Sequence, residues 1–564
     1  MKILILLAMI MTVSQANAQD GGVLERKDEQ NMGFPGGPGG FPGGPGGFPG
    51  FPGGFGGFPF MQGIDFDAIK GYGVELDKSR LDEGKEKIVV DSSDSTSVYF
   101  VENEKFDHKV NIRYDGDKVY VEGLPSTVKV EQENADLKLT VKGMTIEYQL
   151  SGKSSDGSLH IKSDCATKLV LSGLDLKSES GEAISVSGKE KVYVVLANGS
   201  VNRLEDKFRE VEERSGFMMP GPFQRRKEGV DDYEEIGGIK MKKAVNRSKK
   251  QSESKVSGVL TSSGLLSFSG GGELTVVGHN KSGLKSKGHM IFRPGIVTNI
   301  DVSQGKGLKS NGDIRIYGGV LNIDGSISGD DGIRSEGSVY IIGGRTSVLA
   351  SGGEGSEGIE GKYHVVIDGG VVEVASFDDG INAGGNLIVN GGQVYAASVF
   401  NDALDSNGNI VINGGEVIAL GGGAPECGLD ANEEEGYELY INGGTVVSTG
   451  GMSTATSHES RQASIIYNAE SVDSGMVYGV CDKKGMLLSL KTLRKYDREG
   501  SFLFSCPKME TGGEYSVCKI EEPVSGNAFH GLVVGGKGEA TTLERVEKLE
   551  NPYSQVGKER QRPF

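Results

Sequence analysis

Between residues 264 and 450 apolar positions recur over a long period, and within each period they alternate with polar ones. Coils begin at Gly283-Leu284, Gly307-Leu308, Gly332-Ile333, Gly358-Ile359, Gly380-Ile381, Ala403-Leu404 and Gly428-Leu429. Successive starts are 24, 25, 26, 22, 23 and 25 residues apart. Each coil carries a short alternating run, a Gly-Gly corner (Gly318-Gly319 in one, Gly344 after Gly343 in the next) and a second run. Pro294-Gly295 takes the corner's place in the first coil. In register, Ile314, Val339, Val365, Leu387, Ile410 and Leu439 form one apolar column. Two residues on, Ile316, Ile341, Ile367, Val389, Ile412 and Ile441 form another. Alternate side chains of a strand share a face, so both columns point inward. Leu321, Thr346, Val372, Val394, Val417 and Val446 add a third column after the corner. A unit this short buries its apolar side only against neighbouring copies. The pattern predicts an all-β fold, a parallel β-helix with coils about 4.8 Å apart. Asn390, Asn413 and Asn442, each just before a corner, predict a ladder of stacked side-chain amides.

The flanks organise around this array. Residues 1–18 join Lys2, an apolar run from Ile3 to Val13 and the small-x-small Ala16-Asn17-Ala18, the pattern of a cleaved secretory signal. The run is too short to span a membrane, and no other stretch has the length and apolarity of a transmembrane segment. The mature chain is therefore expected to be secreted or extracytoplasmic. Residues 19–63 are a linker rich in Gly, Pro and Phe, without the strict glycine period of collagen. Alternating runs such as Leu137-Lys138-Leu139-Thr140-Val141 predict an N-terminal β region over 64–160. The β-helix is expected over 161–450, interrupted by a charged insertion at 205–256 whose start, Glu205 to Glu213, is compatible with a helix. Beyond it, 451–525 reads as antiparallel strands covering the open end, and 526–564 as a polar tail, disordered after about 540.

Composition narrows the partners. A net charge of −18 disfavours nucleic acid, whose affinity comes from Lys and Arg neutralising phosphates. There is no Trp, so sugar stacking would fall to other aromatics, and Tyr317, Tyr340, Tyr395 and Tyr440 are candidates for an outer platform. The seven His show no zinc-type spacing. Five Cys are too few for a disulfide scaffold, but Cys481, Cys506 and Cys518 lie close enough in sequence for one bridge in an oxidising compartment.

The pattern that carries chemistry is acidic. Asp330-Asp331, Glu357, Asp378-Asp379 and Asp402 precede consecutive coil starts, and Arg334, Glu360, Asn382, Asp405 and Asp430 stand two residues after them. Stacking at roughly 5 Å brings like charges together, which is destabilising unless a cation intervenes. Ca²⁺, which takes six to eight oxygen ligands from flexible carboxylate sets, suits such a ladder.

The segments SGDDGIRSEGSVYIIGG, GSEGIEGKYHVVIDGGVVEVASFDDGINAGG and NDALDSNGNIVINGG resemble the bacterial carbohydrate-binding-domain proteins, and the likeness extends over about 110–520. The resemblance implies a secreted right-handed parallel β-helix of polysaccharide-lyase-like shape that holds Ca²⁺ and binds acidic or cellulosic plant polysaccharide without established catalysis. The metal ligands it implies are Asp330, Asp331, Glu357, Glu360, Asp378, Asp379, Asp402 and Asp405. Cys427 stands where an acidic residue is expected before Gly428, which leaves the last coil outside that set. The expected function is non-catalytic polysaccharide binding through Ca²⁺-loaded turns, with no catalytic residue. The alternatives are a Ca²⁺-dependent, pectate-type lyase using Arg334, which follows Lys285 and Lys309 in its column, and a surface adhesin.

Overall fold

The computed structural model describes residues 99–207, 233–236, 239–242 and 257–559, apart from 189, 493, 497, 498 and 525–527. The expected signal peptide, the glycine-rich linker and most of the insertion lie outside them.

Each coil is three short strands. In the coil starting at Gly332 they are Ile333–Ser335, Val339–Ile341 and Arg345–Ala350. In the next they are Ile359–Gly361, Val365–Ile367 and Val371–Ser376. Every strand pairs in parallel with its counterpart: Ile333 faces Ile359, Val339 faces Val365, and Thr346 faces Val372. The pairing continues to Leu429–Ala431, Leu439–Ile441 and Thr445–Gly450, giving a solenoid of about eleven turns. The apolar columns read from the sequence line its interior, and a further one (Leu284, Leu308, Ile333, Ile359, Ile381, Leu404, Leu429) comes from the first strands.

Polar side chains finish the corners. The Oγ atoms of Ser286, Ser310, Ser335 and Ser406 donate to the carbonyls of Gly264, Gly288, Gly312 and Gly385 in the preceding coil. Three of them also accept the N–H two residues on, at Gly288, Gly337 and Gly408. A buried hydroxyl is tolerated where its hydrogen bonds are made, and here it also locks coil to coil. The amide ladder is present: Asn442 donates to Asn413 (2.9 Å), Asn413 to Asn390 (2.8 Å), and Asn390 to Asp368 (2.7 Å). The second corner glycine is required for two reasons. Gly344 has φ +79°, and a Cβ there would strike the carbonyl of Gly319 beneath it.

The two ends differ from the sequence reading. Parallel stacking begins well before residue 161, with Ala135–Val141 pairing Gly157–Ser163 and His108–Asp115 pairing Ile146–Ser154. An antiparallel hairpin partner, Lys118–Glu122, accompanies the latter. These coils lack Gly-Gly corners, which hides their kinship with the later ones. Val201–Asp206 is a strand in the parallel ladder, so Glu205 and Asp206 belong to the solenoid and do not begin a helix. At the other end, Thr445–Gly450 pairs antiparallel with Gly500–Ser505, which pairs antiparallel with Ser464–Ala469. A second antiparallel sheet holds Val477–Asp482, Gly485–Lys491, Tyr515–Val524, Leu532–Val534 and Lys537–Val546. The expected disordered tail is corrected here: Lys537–Val546 and Tyr553–Gly557 are strands of the cap. Lys537–Val546 exposes most of its side chains and is held by backbone pairing, so its composition reads as tail.

All five cysteines are free thiols. The bridge expected among the last three is not formed, and Cys481 and Cys518, on adjacent strands, hydrogen-bond to each other.

Ile367→Ala removes a fully buried side chain from the central column and is expected to cost about 2–5 kcal/mol. Asn413→Ala removes hydrogen bonds from an exposed ladder and is expected to cost about 1 kcal/mol. Urea denaturation of the two variants checks this order, and equal midpoints would contradict it.

Candidate metal centre

Two columns flank the first strand of every coil. The outward residue in mid-strand gives Lys285, Lys309, Arg334, Glu360, Asn382, Asp405 and Asp430, held in register by the parallel ladder. The residue before the coil start gives Lys306, Asp331, Glu357, Asp379, Asp402 and Cys427. The N–H of each following residue bonds the carbonyl of the next member, as Gly358 does with Asp379 and Gly380 with Asp402. A fixed coil spacing makes each residue's nearest electrostatic neighbours the ones above and below it.

Both columns change sign along the solenoid, and the change is bridged by ion pairs. Lys306 contacts Asp330 and lies 2.7 Å from Asp331. Arg334 contacts Glu360 and lies 3.2 Å from Asp331 and 3.4 Å from Glu336. Lys362 also reaches Glu360. Asp331, Glu357 and Glu360 bring carboxylate oxygens within 4.8 Å of one another, but three basic side chains already answer that charge.

Beyond this boundary acids face acids. Asp402, Asp405 and Asp430 form a second group with oxygens within 4.8 Å of one another. Asp379 lies one coil earlier, and its Oδ1 accepts the N–H of Asp402 at 3.1 Å. The Asp402 Oδ1 accepts the N–H of Cys427 at 2.5 Å. No ion pair to Lys, Arg or His reaches Asp378, Asp379, Asp402 or Asp405 among the described residues. Burial, and then Asp405 and Asp378, push the Asp379 carboxyl up to about 8. Burial and Asp430 push Asp405 up to about 7, and the same two causes raise Glu426 to about 7. Asp402 rises well above the carboxylate range for the same reasons. Glu357, between the two groups, is pushed to about 9 by burial, then by Glu360 and Asp331. Its Oε2 is buried and has no hydrogen-bond partner among the described residues.

A hard divalent cation fits these residues. The donors are carboxylate oxygens with one amide, Asn382, which donates to Asp379 at 3.0 Å. A buried carboxylate oxygen without a partner is the atom such an ion would satisfy. Of the eight residues expected to bind metal, the geometry divides the set. Asp330, Asp331 and Glu360 are tied to Lys306, Arg334 and Lys362. Asp379, Asp402 and Asp405 lie in the uncompensated stretch, with Glu357 at its edge. Asp378 sits outside them, accepting from Gly355 (2.9 Å) and Asn401 (2.9 Å). Asp430 joins the group although Cys427 had placed the last coil outside it, and Glu426 was not singled out in the sequence at all. Its signal was there: it stands two residues before Gly428, as Asp330 and Asp378 stand before Gly332 and Gly380.

The tyrosines do not make a common platform. Tyr395 is buried, with its ring 3.9 Å from that of His530. Tyr317 packs edge-on to Phe100, and Tyr340 lies under the Arg315 guanidinium. Among the described residues no helix is long and apolar enough to cross a membrane.

Residues 133–218 and 241–424 match the sequence model of the carbohydrate-binding domain-containing protein family, which supports the resemblance read from the sequence. No curated protein matches the chain. A solved structure described as the polysaccharide lyase-like protein from C. thermocellum, a gadolinium derivative, aligns over 55% of this chain and 93% of its own, at 19% identity and a TM-score of 0.30. That likeness is too loose to transfer a site.

The raised carboxyls set a pH dependence. Free Asp and Glu titrate near 4, whereas Asp379, Asp405 and Glu426 hold their protons to about 7 or 8, so across that window the folded state binds more protons than the unfolded one. Chelated protein is therefore expected to lose stability as pH rises from about 4 to about 8. Ca²⁺ added at the upper end should restore it, as scanning calorimetry would record. A melting temperature independent of both pH and Ca²⁺ would contradict the repulsion.

Proposed function

With the solenoid matched to the carbohydrate-binding domain-containing family, we propose that the protein is an exported, non-catalytic polysaccharide-binding protein whose acidic coils hold Ca²⁺. The observation that carries this reading is the stretch from Asp379 to Asp430, where carboxylates stack on carboxylates and no basic side chain pairs with Asp379, Asp402 or Asp405 among the described residues. Asp379, Asp402, Asp405 and Asp430 are the residues that would hold the ion, and Glu357 borders them. Bound there, Ca²⁺ supplies a positive, oxygen-seeking centre on a face otherwise hostile to anionic glycans. The protein's own part is to hold the oxygens in a register that the ladder fixes before the ion arrives. That pre-ordering lowers the entropy lost on binding.

The lyase alternative needs a base that gives up a proton near the metal. Arg334 is poorly placed for that. Its guanidinium is shared among Asp331, Glu336 and Glu360, and although burial opposes its charge, these carboxylates hold its pKa above the ordinary value. Its geometry favours a structural role, closing the boundary between the basic and acidic coils. Export rests on the amino-terminal pattern of Lys2, the apolar run and Ala16-Asn17-Ala18.

Calorimetric titration of chelated protein with Ca²⁺, then with polygalacturonate and cellohexaose in its presence and absence, tests the reading. Expected are Ca²⁺ uptake, glycan binding that needs Ca²⁺, and no unsaturated product by ultraviolet absorbance. Asp402→Asn with Asp405→Asn is expected to weaken Ca²⁺ by about tenfold or more while raising the melting temperature of chelated protein at pH 8. Unsaturated product would make the protein a lyase, and absence of Ca²⁺ uptake would remove the metal from the reading.

A further inference from the structure

Beside the acidic coils lies a feature that neither the metal nor the core accounts for. Phe377 and Phe400 occupy the same place in consecutive coils, three residues before Gly380 and Ala403. The N–H of Phe400 bonds the carbonyl of Phe377 at 3.0 Å, and their rings stack with centroids 5.9 Å apart and planes 6° from parallel. Phe400 is 47% exposed and Phe377 is partly so. Other stacked ring pairs among the described residues serve the interior: Phe268 on Phe292, Phe502 on Phe504, Tyr467 on Phe502 and Tyr395 on His530 each contain a buried ring.

The rim of this platform is polar. Asp378 follows Phe377 and Asn401 follows Phe400, and the Asn401 amide donates to the Asp378 carboxylate at 2.9 Å. A Cβ placed on Gly422 would meet both the Phe400 carbonyl and the Cβ of Glu426, so Glu426 stands at the same corner. Phe377 backs one face of the Phe400 ring, and the half-exposed Phe400, edged by a carboxylate, an amide and a second carboxylate, matches the two chemistries of a pyranose. A ring whose hydroxyls are equatorial presents flat C–H faces, which pack against aromatic faces, and a rim of hydroxyls, which donate to carboxylates and accept from amides. An apolar protein surface would strip water from Asp378 and Glu426 and offer them no hydrogen bond in return, which is costly.

We infer that Phe377 and Phe400 form the sugar-stacking subsite of this protein, taking a pyranose ring with equatorial hydroxyls from a polysaccharide chain while Asp378, Asn401 and Glu426 bond its hydroxyl rim. The inference rests on the polysaccharide-binding reading and deepens it, because it places the sugar beside the candidate metal ligands Asp379 and Asp402.

The chain has no Trp, so Phe400→Trp installs its single indole at the platform, whose emission is read with excitation above the Tyr range. Ca²⁺-loaded wild-type protein, F400W and F377A/F400A would be titrated with cellohexaose and with hexagalacturonate by calorimetry, and F400W also by emission. The expected result is binding of cellohexaose by wild-type protein, a change in Trp emission on adding it to F400W, and a loss of about tenfold or more in affinity for F377A/F400A with Ca²⁺ uptake unchanged. Because Phe400 is half exposed, folding of the variants is checked by their melting temperatures, and F400W remains informative if the double variant unfolds. Binding of either oligosaccharide by wild-type protein with no emission change in F400W and no loss in F377A/F400A would overturn the subsite and leave the function standing. Binding of neither would overturn both.

Discussion

The structure depends on one constraint: parallel strands in register repeat at a spacing of about 4.8 Å, and every residue inherits the neighbours that its coil position dictates. In the interior this is favourable, because Ile, Val and Leu stacked on their own kind fill space without voids. At the corners it is neutral, since the Ser hydroxyls and the Asn ladder bond from one coil to the next. On the outer face of the first strand it is unforgiving. A charge there has a neighbour of similar depth above and below, and no rotation of the chain can separate them.

The sign reversal follows from the same constraint. Lys285, Lys309 and Lys306 lead to Arg334 and Asp331, and from there the columns turn acidic. At the boundary opposite charges land on adjacent coils, so Lys306 and Arg334 consume the carboxylates of Asp330, Asp331 and Glu360. Two coils later there is nothing of opposite sign to land on. Burial then amplifies the repulsion, which is why Asp379 and Asp405 cling to protons that an exposed carboxyl would release. The same acidic residue type is thus an ion-pair partner in one coil and a ligand candidate in another, and what decides is the residue one coil away.

This explains what the sequence could and could not reveal. The apolar columns, the corners and the amide ladder were legible because they repeat, and a repeat can be aligned against itself. The early coils were missed because they turn without Gly-Gly corners, and the last strands because Lys537–Val546 buries its backbone bonds and little else. The acidic columns were legible as columns, but their division was not. Lys306 acts across coils, reaching Asp330 and Asp331, whereas Lys362 answers Glu360 within its own coil, and Glu426 couples to Asp430 from the place that Asp330 and Asp378 hold in their coils. The Phe377 and Phe400 pair sits just past the strands, where alternation carries no signal.

The cap has a consequence for how such a molecule changes over time. Thr445–Gly450 meets an antiparallel strand instead of another coil, so growth of that ladder stops inside the chain. Whole coils between the two ends are then interchangeable parts. Duplicating or deleting one shifts everything beyond it by a rung, leaves both ends intact, and moves the boundary between cationic and anionic coils relative to the cap. Charge layout in this architecture is editable in units of a coil, the way a sentence is edited by whole clauses, without renegotiating the fold.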